Sequence, residues 1–132
     1  MKNRTASEIM TKPVVTTGRE GHLLDAIQTM LRFHISGLPV LDEDDRLVGI
    51  ISEHDIMNFA FSGDAEDTTV AEGMTKDVHA FGPDTSFEEI VNCFAANRIR
   101  RVPIVEDGKV VGIISRREIL REMLRVYGAK GA

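Results

Sequence analysis

Along the 132 residues, the apolar positions fall into one pattern written twice. Leu23, Ala26, Ile27, Met30 and Leu31 stand at i, i+3, i+4, i+7 and i+8, one face of an amphipathic helix. Phe87, Ile90, Val91, Phe94 and Ala95 repeat that face, and here Thr85 or Ser86 can cap the helix, with Glu88 and Glu89 following. After each helix comes a short β-type run opened by proline, Pro39-Val40-Leu41 and Pro103-Ile104-Val105. Proline suits a first strand residue because it has no N–H to give to the ladder. Polar turns follow, Asp42-Glu43-Asp44-Asp45 and Glu106-Asp107-Gly108, the second carrying a hairpin Asp-Gly. The runs Leu47–Ser52 and Lys109–Ser115 predict the returning strands, each leading into a second helix, Glu53–Phe61 and Arg116–Val126. Each half therefore reads as short strand, helix, strand, hairpin, strand, helix, and the class is α/β (α+β).

The letters repeat along with the pattern. Met10-Thr11-Lys12 returns as Met74-Thr75-Lys76, an offset of 64 residues from position 10 to position 74. Val14 then matches Val78, Gly18 matches Gly82, Ile35 matches Ile99 and Pro39 matches Pro103. One residue is lost in a turn, after which Val48-Gly49-Ile50-Ile51-Ser52 returns as Val111-Gly112-Ile113-Ile114-Ser115. The expected divisions are a first copy over 1–62 with its N-terminal segment, a polar linker 63–67, a second copy 68–127 and a tail 128–132. A copy of about 60 residues has a poor ratio of buried to exposed surface. The two are expected to bury their sheet faces against each other about a pseudo-two-fold axis, each a small, mostly three-stranded sheet with two helices.

Composition narrows the function. Apolar residues make up 42% and charged residues 28%, a globular balance. No run approaches the roughly 18 apolar residues of a membrane helix, and Met1–Ala6 leads into no apolar segment, so a cytoplasmic protein is expected. A net charge of −5 argues against a broad nucleic-acid or anionic-membrane surface. Cys93 is the sole cysteine and reads as a small buried apolar residue on a helix, with no intrachain disulfide possible. His22, His34, His54 and His79 have no metal-ligand spacing, and no GxSxG, P-loop or GxGxxG is present. No metal, no required cofactor and no catalytic residues are expected.

The order MT-x-x-V, amphipathic helix, I-x-x-h-P-h, hairpin, V-G-I-I-S-x-x-[DE]-I resembles the cystathionine-β-synthase (CBS) domain family over residues 6–126. The resemblance implies a tandem CBS pair, or Bateman module, whose cleft holds adenosine ligands such as AMP, ADP, ATP, S-adenosylmethionine or NAD(H). It also implies a regulatory role toward an enzyme, transporter or channel. With the module filling the chain, that partner is expected to be a separate polypeptide, and the module itself is expected to be a homodimer.

The same resemblance implies site residues. Asp55 would accept the ribose hydroxyls with Ser52 beside it, while Arg100 and Arg101 would hold phosphate through the planar guanidinium fork. His79, Ile99, Pro103, Thr75 and Val78 complete this site. A reciprocal, weaker site would combine Thr11, Val15, Ile35, Ser36 and Pro39 with Ile113, Ser115 and Glu118; it has no arginines, and Glu118 stands where the family usually has aspartate. Apolar walls would come from Ile35 or Ile99, Pro39 or Pro103, and Ile50 or Ile113. Thr11 and Thr75, with the backbone of 14–16 and 78–80, would read the base edge.

Structural alternatives stay open for each. Ser52-x-x-Asp55 and Ser115-x-x-Glu118 are also helix capping boxes, Arg98 complements a helix end, and the isoleucines suit an ordinary core. Met57, Phe59 and Phe61, like Met123, Leu124 and Tyr127, suit either a dimer interface or the interior. The competing reading of the whole is a structural or interaction module with an empty cleft.

Overall fold

Leu23, Ala26 and Met30 point inward from one helix, and Leu38, Val40 and Ile51 meet them from a hairpin. The arrangement recurs with Ile90 and Phe94 against Val102, Ile104 and Ile114. These two clusters are the cores of two compact units in a computed structural model that describes residues 4–61 and 63–128. Ser62, the expected last residue of the first copy, the N-terminal residues 1–3 and all of the tail past Gly128 lie outside the described residues.

The units are not the copies as they run along the chain. One unit is Val15–Val78, and the other joins Met1–Val14 to His79–Ala132. The Met-Thr segment at the head of each copy thus belongs with the hairpin of the other copy.

In the Val15–Val78 unit, β1 (Thr17–Gly18) pairs parallel with β2 (Gly37–Leu41), which pairs antiparallel with β3 (Leu47–Ser52). Helix α2 (Leu23–Phe33) lies between β1 and β2 in sequence, and α3 (Glu53–Met57) follows β3. Helix α4 (Val70–Gly73) then leads to Thr75, which exchanges both backbone hydrogen bonds with Ile50. That Met74-Thr75 edge lies against Gly49, where an added Cβ would sit 2.7 Å from the Met74 sulfur and 2.8 Å from the Thr75 carbonyl oxygen. Only glycine leaves room for this approach.

The second unit follows the same plan. Helix α1 (Ala6–Ile9) leads to Thr11, which bridges Ile113 as Thr75 bridges Ile50, with Met10 packed on Gly112. Helix α5 (Phe87–Asn97) precedes the hairpin of β4 (Arg101–Glu106) and β5 (Lys109–Ser115), and α6 (Arg116–Met123) continues into a π-helical turn, Leu124–Gly128. The parallel edge strand shrinks here to one bridge, Phe81 with Ile104, so the sheet proper has two strands.

Several boundaries differ from expectation for identifiable reasons. The prolines are not first strand residues: Pro39 and Pro103 lie inside β2 and β4, opposite Ile50 and Ile113. Pro103 gives its carbonyl to Phe81 N–H, and Val105 N–H returns to Phe81, so the proline's missing donor points past the end of that edge segment. Helix α3 stops at Met57 because Asn58, Phe59 and Ala60 tighten to i→i+3 bonds. The short helices α1 and α4 were not anticipated, although Thr5-x-x-Glu8 and Thr69-x-x-Glu72 are capping boxes. The expected apolar stripe is also narrower than it reads, for its last position is exposed in both units: Leu31 is 71% exposed and Ala95 is exposed.

Candidate functional site

Each unit brings a serine, an acid and a threonine together where its last strand becomes a helix. At the β3–α3 junction, Ser52 donates both its backbone N–H and its hydroxyl to Asp55 Oδ2, each at 2.9 Å. The Asp55 N–H donates back to Ser52 Oγ at 3.2 Å, the reciprocal capping box. Thr75, fixed by its bridge to Ile50, donates its hydroxyl to Asp55 Oδ1 at 3.0 Å. The carboxylate is half-buried, and the Thr75 side is exposed.

The β5–α6 junction is built alike. Ser115 donates its N–H and hydroxyl to Glu118 Oε1, each at 2.6 Å, and Thr11 donates its hydroxyl to Oε2 at 3.2 Å. Glu118, however, is only 6% exposed. One helical turn on, Glu122 is 4% exposed and takes a two-pronged pair from Arg125 at 2.8 Å, together with Arg4 at 3.3 Å. Hydrogen bonding from Arg125 first, and the charge of Arg4 further, hold the Glu122 carboxyl below the ordinary glutamate range against the opposing effect of burial.

The residue before each hairpin strand closes on the same junction. Glu53 N–H donates to the Ser36 carbonyl at 2.9 Å, and Arg116 N–H donates to the Arg100 carbonyl at 3.2 Å, while Arg101 pairs with Ser115. Arg100 is exposed and Arg101 half-buried. Ile35, Ile50, Ile99 and Ile113 are half-buried, whereas Pro39 and Pro103 are fully buried. A groove of about 530 Å³ runs between α2 and α3, lined among others by Ile35, Ser36, Glu53 and Met57.

Of the expected residues, Ser52, Asp55, Thr75 and Val78 belong to the Val15–Val78 unit; His79, Ile99, Arg100, Arg101 and Pro103 belong to the other. Thr11, Ile113, Ser115 and Glu118 share that other unit, whereas Val15, Ile35, Ser36 and Pro39 share the first. The threonine–acid pairing was missed in the sequence, because it joins residues 20 apart in one unit and 107 apart in the other. Among the possible interface residues, Phe59 packs on a core, while Met57, Phe61, Met123, Leu124 and Tyr127 are exposed.

The family model of the CBS domain matches residues 6–62 and again 66–125. The chain is a CBS domain pair. Among relatives of this CBS pair, inosine-5'-monophosphate dehydrogenase of Methanocaldococcus jannaschii is 40% identical over 89% of the chain, which spans only 23% of that enzyme. Hypoxic response protein 1 of Mycobacterium tuberculosis is 30% identical over 90% of the chain and 85% of its own length. In structure, the CBS pair of protein MJ0100, solved with 5'-methylthioadenosine and S-adenosyl-L-methionine, superimposes with a TM-score of 0.83 at 28% identity, covering 98% of this chain and 99% of that one. No helix among the described residues is long and apolar enough to cross a membrane.

Proposed function

We propose that this CBS pair binds an adenosine-containing ligand of the AMP, ADP or ATP class and acts as a ligand sensor for an enzyme or transporter. The observation that carries the proposal is the half-buried Asp55 carboxylate, held rigidly by Ser52 and capped by a hydroxyl from the exposed Thr75. A vicinal diol presents the hydroxyl chemistry that Thr75 already presents, and a fixed carboxylate accepts two such protons in charge-assisted bonds. Arg100 and Arg101 are the proposed phosphate contacts, with Ile99, His79 and Val78 about the base. The related MJ0100 pair, solved with two adenosine derivatives, supports this class of ligand and keeps S-adenosylmethionine among the candidates.

The test is a thermal-shift panel of AMP, ADP, ATP, S-adenosylmethionine and NADH. A ligand at 100 times its dissociation constant adds about 2.7 kcal/mol. Asp55→Ala is expected to abolish the shift for every adenosine ligand, and Arg100→Ala with Arg101→Ala to weaken ATP more than adenosine. Silence across the panel sinks the proposal.

A second role is favoured by one observation. Leu31, Met57 and Leu124 are 71%, 63% and 72% exposed, apolar side chains on helical surface. We propose that such faces serve homodimer or partner contacts, which sedimentation of the wild type and of Leu31→Glu would test.

A further inference from the structure

The two strand-to-helix junctions share the serine-to-acid and threonine-to-acid hydrogen bonds and differ in what solvent can reach. In one, Asp55 accepts from Ser52 at 2.9 Å and 2.9 Å and remains half-buried. In the other, the extra methylene of Glu118 folds the carboxylate back onto Ser115, shortening both bonds to 2.6 Å, and the side chain is only 6% exposed. Short O–H···O⁻ bonds are the strong, charge-assisted kind. The remaining oxygen of Glu118 takes the Thr11 hydroxyl, and no buried side-chain oxygen among the described residues lacks a partner. At Asp55 an incoming hydroxyl needs only to take the place of the exposed Thr75. At Glu118 displacing the likewise exposed Thr11 is not enough, because the acid itself is only 6% exposed: the incoming hydroxyl must also draw the carboxylate out of the interior and away from Ser115, stripping satisfied bonds from a buried charge.

We infer that Glu118 is a specificity-determining residue that closes its junction to ribose: the chain's own Thr11 and Ser115 occupy the place of the diol, and this CBS pair takes one adenosine ligand, at Asp55. This rests on the reading of Asp55 as the ribose acceptor. A single methylene sets the difference, so exchanging the two acids exchanges the behaviour of the junctions. Glu118→Asp restores the geometry seen at Asp55 and opens a second site. Asp55→Glu builds the geometry seen at Glu118 and closes the first.

The experiment is calorimetric titration of AMP, and separately of S-adenosylmethionine, into the whole chain, with circular-dichroism melts confirming that each variant is folded. Wild type is expected to take one equivalent and Glu118→Asp two, while Asp55→Glu loses about ten- to a hundredfold in affinity, the worth of a charge-assisted bond. Two equivalents bound by wild type, or one bound by a folded Glu118→Asp, overturns the inference and leaves the Asp55 site standing. Should Glu118→Asp not fold, Asp55→Glu decides alone, and affinity equal to wild type overturns the inference. Failure of wild type and both variants to bind either probe removes the Asp55 reading itself, and the inference with it.

Discussion

Glu122→Ala tests how the segment at Arg4 is fastened to α6. Glu122 sits on α6 at 4% exposure, bridging Arg4 in the N-terminal segment and Arg125 in the π-helical turn. Removing one partner of a buried ion pair costs about 3–5 kcal/mol when the other charge stays buried. Here both arginines keep about a third to a half of their side chains in water and rehydrate once released. The expected loss is therefore closer to the worth of hydrogen bonds to a charged group, about 1.5–3 kcal/mol. For a chain of this size that lowers the melting temperature by roughly 5–12 °C.

The pH dependence provides a second arm. The folded-state pKa of Glu122 lies below its ordinary value of 4.5, so its contribution is present above that value and disappears as pH falls through the folded pKa. Melting temperatures of wild type and Glu122→Gln, measured by circular dichroism from neutral pH to strong acid, are expected to differ most above 4.5 and to converge below it. A constant difference through the acid range, or a loss under about 0.5 kcal/mol for Glu122→Ala, the range of an ordinary surface change, would refute this account.

Other perturbations follow from the same geometry. Gly49→Ala places a methyl against the Thr75 carbonyl and should cost about 1–3 kcal/mol by overpacking, read by urea unfolding. His34 and Arg98 end α2 and α5 in the left-handed region, with φ of 54° and 52°, where glycine carries no steric penalty. His34→Gly and Arg98→Gly are accordingly expected to hold or raise stability, by up to about 1 kcal/mol each, in chemical denaturation. Thr75→Val, keeping shape but losing the hydroxyl on Asp55, should leave the fold intact in a melt and free an acceptor lone pair, so that AMP affinity changes while the melting temperature moves little.

Much of this arrangement was legible in the sequence because its causes are local. The helical stripe of Leu23, Ala26 and Met30 buries as its spacing requires, and the hairpin follows from Asp107-Gly108 and the paired β-runs. The CBS order of motifs, carried twice, is confirmed by the family match. The choice of partner is non-local and was not legible: nothing in Thr69-x-x-Glu72 or in Met74-Thr75 states which hairpin they dock on. The glycines at 49 and 112 were visible, but the methionine each accommodates belongs to a segment distant in sequence. The site shows the same limit. Ser52-x-x-Asp55 was readable as a cap and an acceptor, whereas the hydroxyl from Thr75 and the depth of Glu118 depend on packing.

The exchange of head segments between the two halves sets an order of events during synthesis. The Val15–Val78 unit is continuous, so all its strands and both its strand-edge partners have left the ribosome before the second hairpin is made. The Ala6–Thr11 segment emerges earlier still, yet its partners, β5 and α6, are translated only after the whole Val15–Val78 unit. A nascent chain can therefore complete one unit while α1 and the Thr11 bridge still wait for β5 and α6. Cutting the gene between the two written copies would give two fragments, each with the other's missing piece.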